Sequence, residues 1–125
     1  MNTLLVAAGG AVGAALRYLL GGWMQSRLGP EFPWGTFIVN VSGCLLIGAV
    51  LGLVERGALP SEARLFLAVG VLGGYTTFST FGYETLRLVE SGETIPALFN
   101  AVGQLALGLV AVYLGLAAAR ALVGA

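Results

Sequence analysis

Long apolar runs separated by brief polar punctuation organise this chain. Uncharged or nearly uncharged stretches cover residues 2–25, 35–54, 65–89 and 95–119, the first interrupted by Arg17 and the third free of charge as far as residue 83. At about 1.5 Å of rise per residue, roughly twenty helical residues cross a hydrocarbon core of about 30 Å. The pattern therefore predicts four membrane-spanning helices, an all-α membrane protein forming one integral membrane domain over residues 1–125.

The punctuation has the chemistry of helix ends. Pro30 and Pro33 stop one helix and open the next, with Arg27 and Glu31 beside them. In the second connection Gly57 reads as a C-terminal cap, Ser61 as an N-cap or early turn residue, and Pro60 as another possible helix start. The third connection, Glu90-Ser91-Gly92-Glu93-Thr94, is shorter still.

Composition narrows the function classes. Hydrophobic residues make up 58% of the chain and charged residues 10%, outside the range of a soluble domain. The connections leave no room for a soluble catalytic domain, no enzyme is expected, and no nucleic-acid partner is expected either. Histidine and aspartate are absent and Cys44 is the lone cysteine, which excludes His- or Cys-based metal clusters and His-based triads within one chain. Met1-Asn2-Thr3 lacks the basic start of a cleaved signal, so span one is expected in the mature protein.

Charge says little about orientation, and that is informative. Four spans place Arg56, Arg64 and Arg120 on one side and Arg27 and Arg87 on the other, three against two. Because arginines in short loops set topology, a near-tie predicts insertion in both orientations, as in an antiparallel dual-topology homodimer. The competing expectation is one orientation set by a dominant arginine.

Helix faces carry the next layer. Gly9, Gly13, Arg17 and Gly21 recur every four residues on span one; Thr36, Asn40, Cys44, Gly48 and Gly52 do so on span two; Asn100, Gln104, Gly108 and Gly115 share a side of span four. Small stripes let backbones approach closely. Polar side chains at membrane depth face a bundle interior or water, which singles out Arg17, Asn40 and Gln104. Arg17 either snorkels toward the interface or anchors an anion-accessible vestibule. The Asn40 amide offers two donors, to a passing anion or to a backbone carbonyl. Glu84 continues the face of Phe81 and either lines a pore mouth or belongs with the solvated charges at the end of span three.

The run Gly73-Gly74-Tyr75-Thr76-Thr77-Phe78-Ser79-Thr80-Phe81 interrupts span three with helix breakers and hydroxyls. A broken helix at membrane depth is tolerated only where protein or a hydrated cavity covers it, and such breaks point to ion or substrate sites. Phe78 and Phe81, three apart, share a face; they either fill the core or present ring edges, the positive part of the aromatic quadrupole, to an anion.

These nine residues resemble the signature in span three of the Fluc (CrcB) fluoride channels. Residues 9–18, with glycines followed by Arg17, and Trp34-Gly35-Thr36 with Asn40 and Gly43, are similar to the family's first and second helices. The resemblance implies an antiparallel homodimer in the cell's inner (plasma) membrane, exporting cytoplasmic fluoride passively and conferring fluoride resistance. It implies a structural sodium ion at the dimer centre, held by backbone carbonyls of Gly73 and Thr76, and a fluoride pathway along Phe78, Phe81, Asn40, Gln104 and, at its entrance, Arg17. Gln104 is longer than the family's small hydroxyl or amide residues and Gly108 adds no donor, so water or Asn100 would have to bridge that part of the path.

Two other readings fit the size. A small dual-topology multidrug transporter would need an acidic residue in span one, where this chain has Arg17. A non-transporting membrane scaffold would use the glycine stripes equally well, but has no need of the break in span three.

Overall fold

The computed structural model describes residues 1–124, and among them every regular element is helical. Helix α1 covers Asn2–Leu28 and α2 covers Trp34–Glu55; the third span, Ser61–Glu90, is divided into α3 (residues 61–75) and α4 (Phe78–Glu90); α5 covers Thr94–Val123. Four helices are long and apolar enough to cross a membrane, counting α3 and α4 as one span. The chain is a multi-pass membrane protein whose third helix is broken.

The connections follow their local chemistry. After α2 and again after α4, a glycine in the left-handed region ends the helix, Gly57 at φ 77° and Gly92 at φ 79°. In both places the glycine N–H and the next N–H turn back onto the last helical carbonyls, Gly57 to Val54 and Ala58 to Leu53, then Gly92 to Val89 and Glu93 to Leu88. Two Schellman closures thus satisfy carbonyls that would otherwise face the interface unpaired. Pro60 precedes α3 as its cap and Ser61 is the first helical residue. The first connection is stapled by Gln25, whose Nε2 donates to the carbonyls of Gly29 and Phe32 while its Oε1 accepts from the Gly35 N–H.

The main pairings are α2 with α5 and α1 with α3. Both are made by the glycine stripes. A Cβ on Gly13 would run into the Val71 carbonyl and lie 2.8 Å from Tyr75 N, and one on Gly74 would lie 2.6 Å from the Gly10 oxygen. Across α2 and α5, a Cβ on Gly48 would strike the Val112 carbonyl and one on Gly52 would lie 2.7 Å from Ala119 Cβ. In hydrocarbon, where lipid tails are as apolar as leucine, close backbone approach supplies the dispersion contact that holds helices together. Leu4, Leu19 and Leu109 are exposed on the protomer surface, as lipid-facing side chains are.

Winding within α3 is unusual. Arg64–Leu72 forms π-helical turns, with i→i+5 hydrogen bonds, before one tighter turn leads to the break. Wider winding of this kind is rare and concentrates at functional sites.

Candidate functional site

The break itself is two extended residues. Thr76 sits at φ −89°, ψ 158° and Thr77 at φ −149°, ψ 122°, after which α4 starts with Thr77 as its N-cap. The Thr77 hydroxyl accepts from the Thr80 N–H at 3.3 Å, the usual service of a threonine in that position.

Unwinding frees backbone groups, and their partners identify the site. The Thr77 N–H, which would close a helical turn on the Gly73 carbonyl, donates instead to Asn40 Oδ1 at 2.8 Å. The Thr80 N–H, which would have reached the Thr76 carbonyl, is held by the Thr77 hydroxyl. The carbonyls of Gly73 and Thr76 are thereby released from helical duty. Their neighbours are not: the Gly74 oxygen accepts from Arg17 Nε at 3.0 Å, and the Thr77 oxygen from Asn40 Nδ2 at 3.0 Å. Two free carbonyls at the C-terminal end of α3 are oxygen donors suited to a hard cation, and the dipole of a helix end favours positive charge there. The residues present therefore fit a sodium ion.

From Asn40 a ladder of amides and hydroxyls runs along the protein. Asn40 Nδ2 donates to Gln104 Oε1 at 2.8 Å, Gln104 Nε2 to Asn100 Oδ1 at 2.9 Å, Asn100 Nδ2 to Thr85 Oγ1 at 2.8 Å, and Thr85 Oγ1 to the Phe81 carbonyl at 2.7 Å. Its direction is locked at both ends by backbone. Thr77 offers an N–H and a carbonyl that admit one orientation of the Asn40 amide, and the Phe81 carbonyl can only accept.

Beside the ladder lies a cavity of about 340 Å³ lined by Asn40, Gly43, Cys44, Ile47, Leu72, Thr76, Thr77, Phe78, Phe81, Gln104 and Leu105. Asn40, Phe78, Phe81 and Gln104 are thus together on one wall system. The Phe78 and Phe81 rings are 5.8 Å apart and tilted by 42°. Phe78 is 84% exposed on the protomer surface, and Phe81 is half-buried. Arg17 is not among the lining residues; its guanidinium is turned to the Gly74 carbonyl. Gly73 is exposed at the end of α3 and also lies off the cavity wall.

Further residues contribute, of which Thr85 was not among those singled out from the sequence. Thr85 links Asn100 to the Phe81 carbonyl, and Asn100 is completely buried. Tyr75, buried, pairs its hydroxyl with Ser42 Oγ at 3.0 Å. Glu84 is half-buried, with Oε1 lacking a partner among the described residues. The signal for Thr85 was present, since it stands four after Phe81, but a lone hydroxyl on a helix is more often satisfied by its own backbone.

Comparison with known proteins bears on this site. Residues 4–116 match the family described as CrcB-like protein, Camphor Resistance (CrcB). The chain is 58% identical over 121 residues, 97% of its length and 95% of the relative's, to a Thermus thermophilus protein named fluoride-specific ion channel FluC. Proteins of the same name from Rhizobium meliloti and Chloroflexus aurantiacus are 52% identical over 124 residues and 48% identical over 120 residues, covering 98% and 95% of each chain. With the match running through the glycine stripe of α1, the break and the amide ladder of α5, this chain belongs to the CrcB-like family.

Proposed function

We propose that this protein is a fluoride-selective ion channel of the cell's inner membrane, letting cytoplasmic fluoride leave passively and so conferring fluoride resistance. The observation that carries the reading is the cavity at the break of the third span, where an amide ladder and two phenylalanine rings converge, in a chain whose relatives bear the name of fluoride channels.

Fluoride is small and strongly hydrated, so a pore must replace water with donors that are numerous and individually weak. Asn40 supplies amide N–H groups beside Gln104 on the cavity wall, and Phe78 with Phe81 supply ring edges. The start of α4 adds the positive end of a helix dipole beside the same cavity. The membrane potential supplies the driving force, about 2.3 kcal/mol per charge per 100 mV, so no nucleotide and no catalytic step are needed. Hydrogen fluoride entering from acid surroundings ionises in a neutral cytoplasm and leaves through the pore as the anion.

The working unit in this proposal is an antiparallel homodimer. The near-even arginine distribution supports it, as does the exposure of Gly73 and Phe78, chemically specialised residues on the protomer surface. Carbonyls of Gly73 and Thr76 from both copies would hold a structural sodium ion, whose charge offsets the repulsion between converging helix C-termini. Arg17 keeps the Gly74 carbonyl out of that set by occupying it.

Fluoride efflux from liposomes containing the purified protein, followed with a fluoride electrode after valinomycin and run in parallel with chloride, tests the function. Rapid fluoride release without chloride release is expected. Folded protein that releases neither ion would overturn the proposal.

A further inference from the structure

Resting on the channel reading, the donor inventory of the ladder leads one step further. An asparagine amide has two N–H donors, and both of those on Asn40 are engaged, one by the Thr77 carbonyl and one by Gln104 Oε1. Its carbonyl is engaged too, by the Thr77 N–H. An anion reaching this amide finds no free donor. The two bonds to Thr77 hold the break together, so the bond to Gln104 is the one available for exchange.

We propose that Gln104 is a displaceable plug: its carboxamide oxygen occupies the Asn40 N–H that Thr77 leaves over, and the permeating anion takes that position by exchanging with it. A hydrogen bond to an anion is roughly twice as strong as one to a neutral amide oxygen, so exchange favours the ion. Room for it exists. Gln104 and Asn40 both line the cavity of about 340 Å³ at the break, which gives a displaced carboxamide space to turn into. Besides the bond it accepts from Asn40, Gln104 is pinned at rest by one from its Nε2 to Asn100 Oδ1. Gln104 thereby sets the fluoride concentration at which the pathway fills, by competing with the ion it conducts.

Single-channel conductance in planar bilayers, measured against fluoride concentration, separates the plug from an ordinary lining donor because the two have opposite signs. Gln104→Leu removes the competitor and is expected to lower the half-saturating concentration about three- to tenfold, the worth of one net hydrogen bond. Asn100→Leu removes the pin while leaving Gln104 in place and is expected to shift it the same way by less, which keeps the test open if the first variant folds poorly. A half-saturating concentration that rises in Gln104→Leu makes Gln104 a ligand of the ion, and one unchanged in both variants shows the Asn40 donor to be uncontested; either overturns the plug. A wild-type protein that conducts no fluoride removes the channel reading itself and the plug with it.

Discussion

Asn40 and Thr77 exchange both edges of their hydrogen-bonding groups across the break, the Thr77 N–H donating to Asn40 Oδ1 at 2.8 Å and Asn40 Nδ2 donating to the Thr77 carbonyl at 3.0 Å. A side-chain amide on α2 thus stands in for the backbone partner that the unwound helix lost. Asn40→Leu removes the partner of both Thr77 groups, at about 1–3 kcal/mol for each that stays unpaired. The variant is expected to unfold at a clearly lower temperature in detergent and to lose fluoride flux. Asn40→Asp does not rescue it, because a carboxylate oxygen then faces the Thr77 carbonyl and Gln104 Oε1. An Asn40→Leu protein as stable as the wild type would show that the exchange carries no weight.

Glycine positions along one helix differ sharply in what they tolerate. Gly13 lies against the backbone of Val71 and Tyr75, whereas a Cβ on Gly22, nine residues on in the same α1, would meet nothing within 4 Å. Gly13→Ala is expected to push α1 from α3 and cost about 1–3 kcal/mol, as overpacking against an unyielding backbone does. Gly22→Ala is expected to be neutral or to gain up to about 1 kcal/mol from helix propensity. Thermal unfolding of the two variants side by side checks this, and equal midpoints would refute the close approach.

Phe81 and Phe78 separate flux from stability. With Phe78 84% exposed, Phe78→Ile removes little that the protomer buries, yet it takes away one of the two rings whose centroids lie 5.8 Å apart. Phe81→Ile alters the other, half-buried ring. Both are expected to keep the fold and reduce fluoride efflux at least tenfold, measured with the liposome electrode assay at matched amounts of folded protein. Wild-type rates in either variant would remove that ring from the pathway.

Much of this architecture is legible in the chain because the bilayer reads it simply. Residues that face lipid must be apolar along their whole length, so spans stand out, and Gly73-Gly74-Tyr75-Thr76-Thr77 marks the break by composition alone. Period-four glycines announce faces, and Gly13 and Gly48 are indeed where helices touch. What the periodicity could not carry is who pairs with whom. Arg17 reads as a snorkelling or vestibular cation, yet it caps the Gly74 carbonyl 57 positions away. From the sequence Asn40 offers its donors to an anion or to a carbonyl, and in the fold it serves Thr77 and Gln104. The π-helical winding of Arg64–Leu72 follows from tertiary fit, because a widened turn uses the same apolar residues as an ordinary one.

Topology is open to a direct test. Arg56, Arg64 and Arg120 lie at one end of the spans and Arg27 and Arg87 at the other, and the proposed dual topology rests on that near-even division. Arg120 also engages Glu55 at 2.6 Å at an exposed helix end, which further weakens its pull as a topology signal. A Cys44→Ser background carrying a single new cysteine in the exposed Gly57 turn is expected to label from both sides of the membrane in intact cells. Labelling from one side alone would reject dual topology, and adding two lysines to that turn is expected to convert two-sided labelling to one-sided.

Sodium dependence tests the freed carbonyls. Gly73 and Thr76 lose their helical donors to Asn40 and to the Thr77 hydroxyl, leaving carbonyl oxygens that the proposed sodium ion would satisfy. Two α3 C-termini brought together in a dimer add partial negative charge to the same place. Replacing sodium with N-methylglucamine, too large to enter between backbone carbonyls, is therefore expected to weaken dimerisation and to slow fluoride flux together, with recovery on returning sodium. Asn40→Leu sharpens the test. Without the amide the Thr77 N–H is free to return to the Gly73 carbonyl, so the variant is expected to need higher sodium for the same fraction of dimer. A dimer indifferent to sodium in both proteins, judged by size-exclusion chromatography across a sodium series, would mean that those carbonyls are satisfied without the ion.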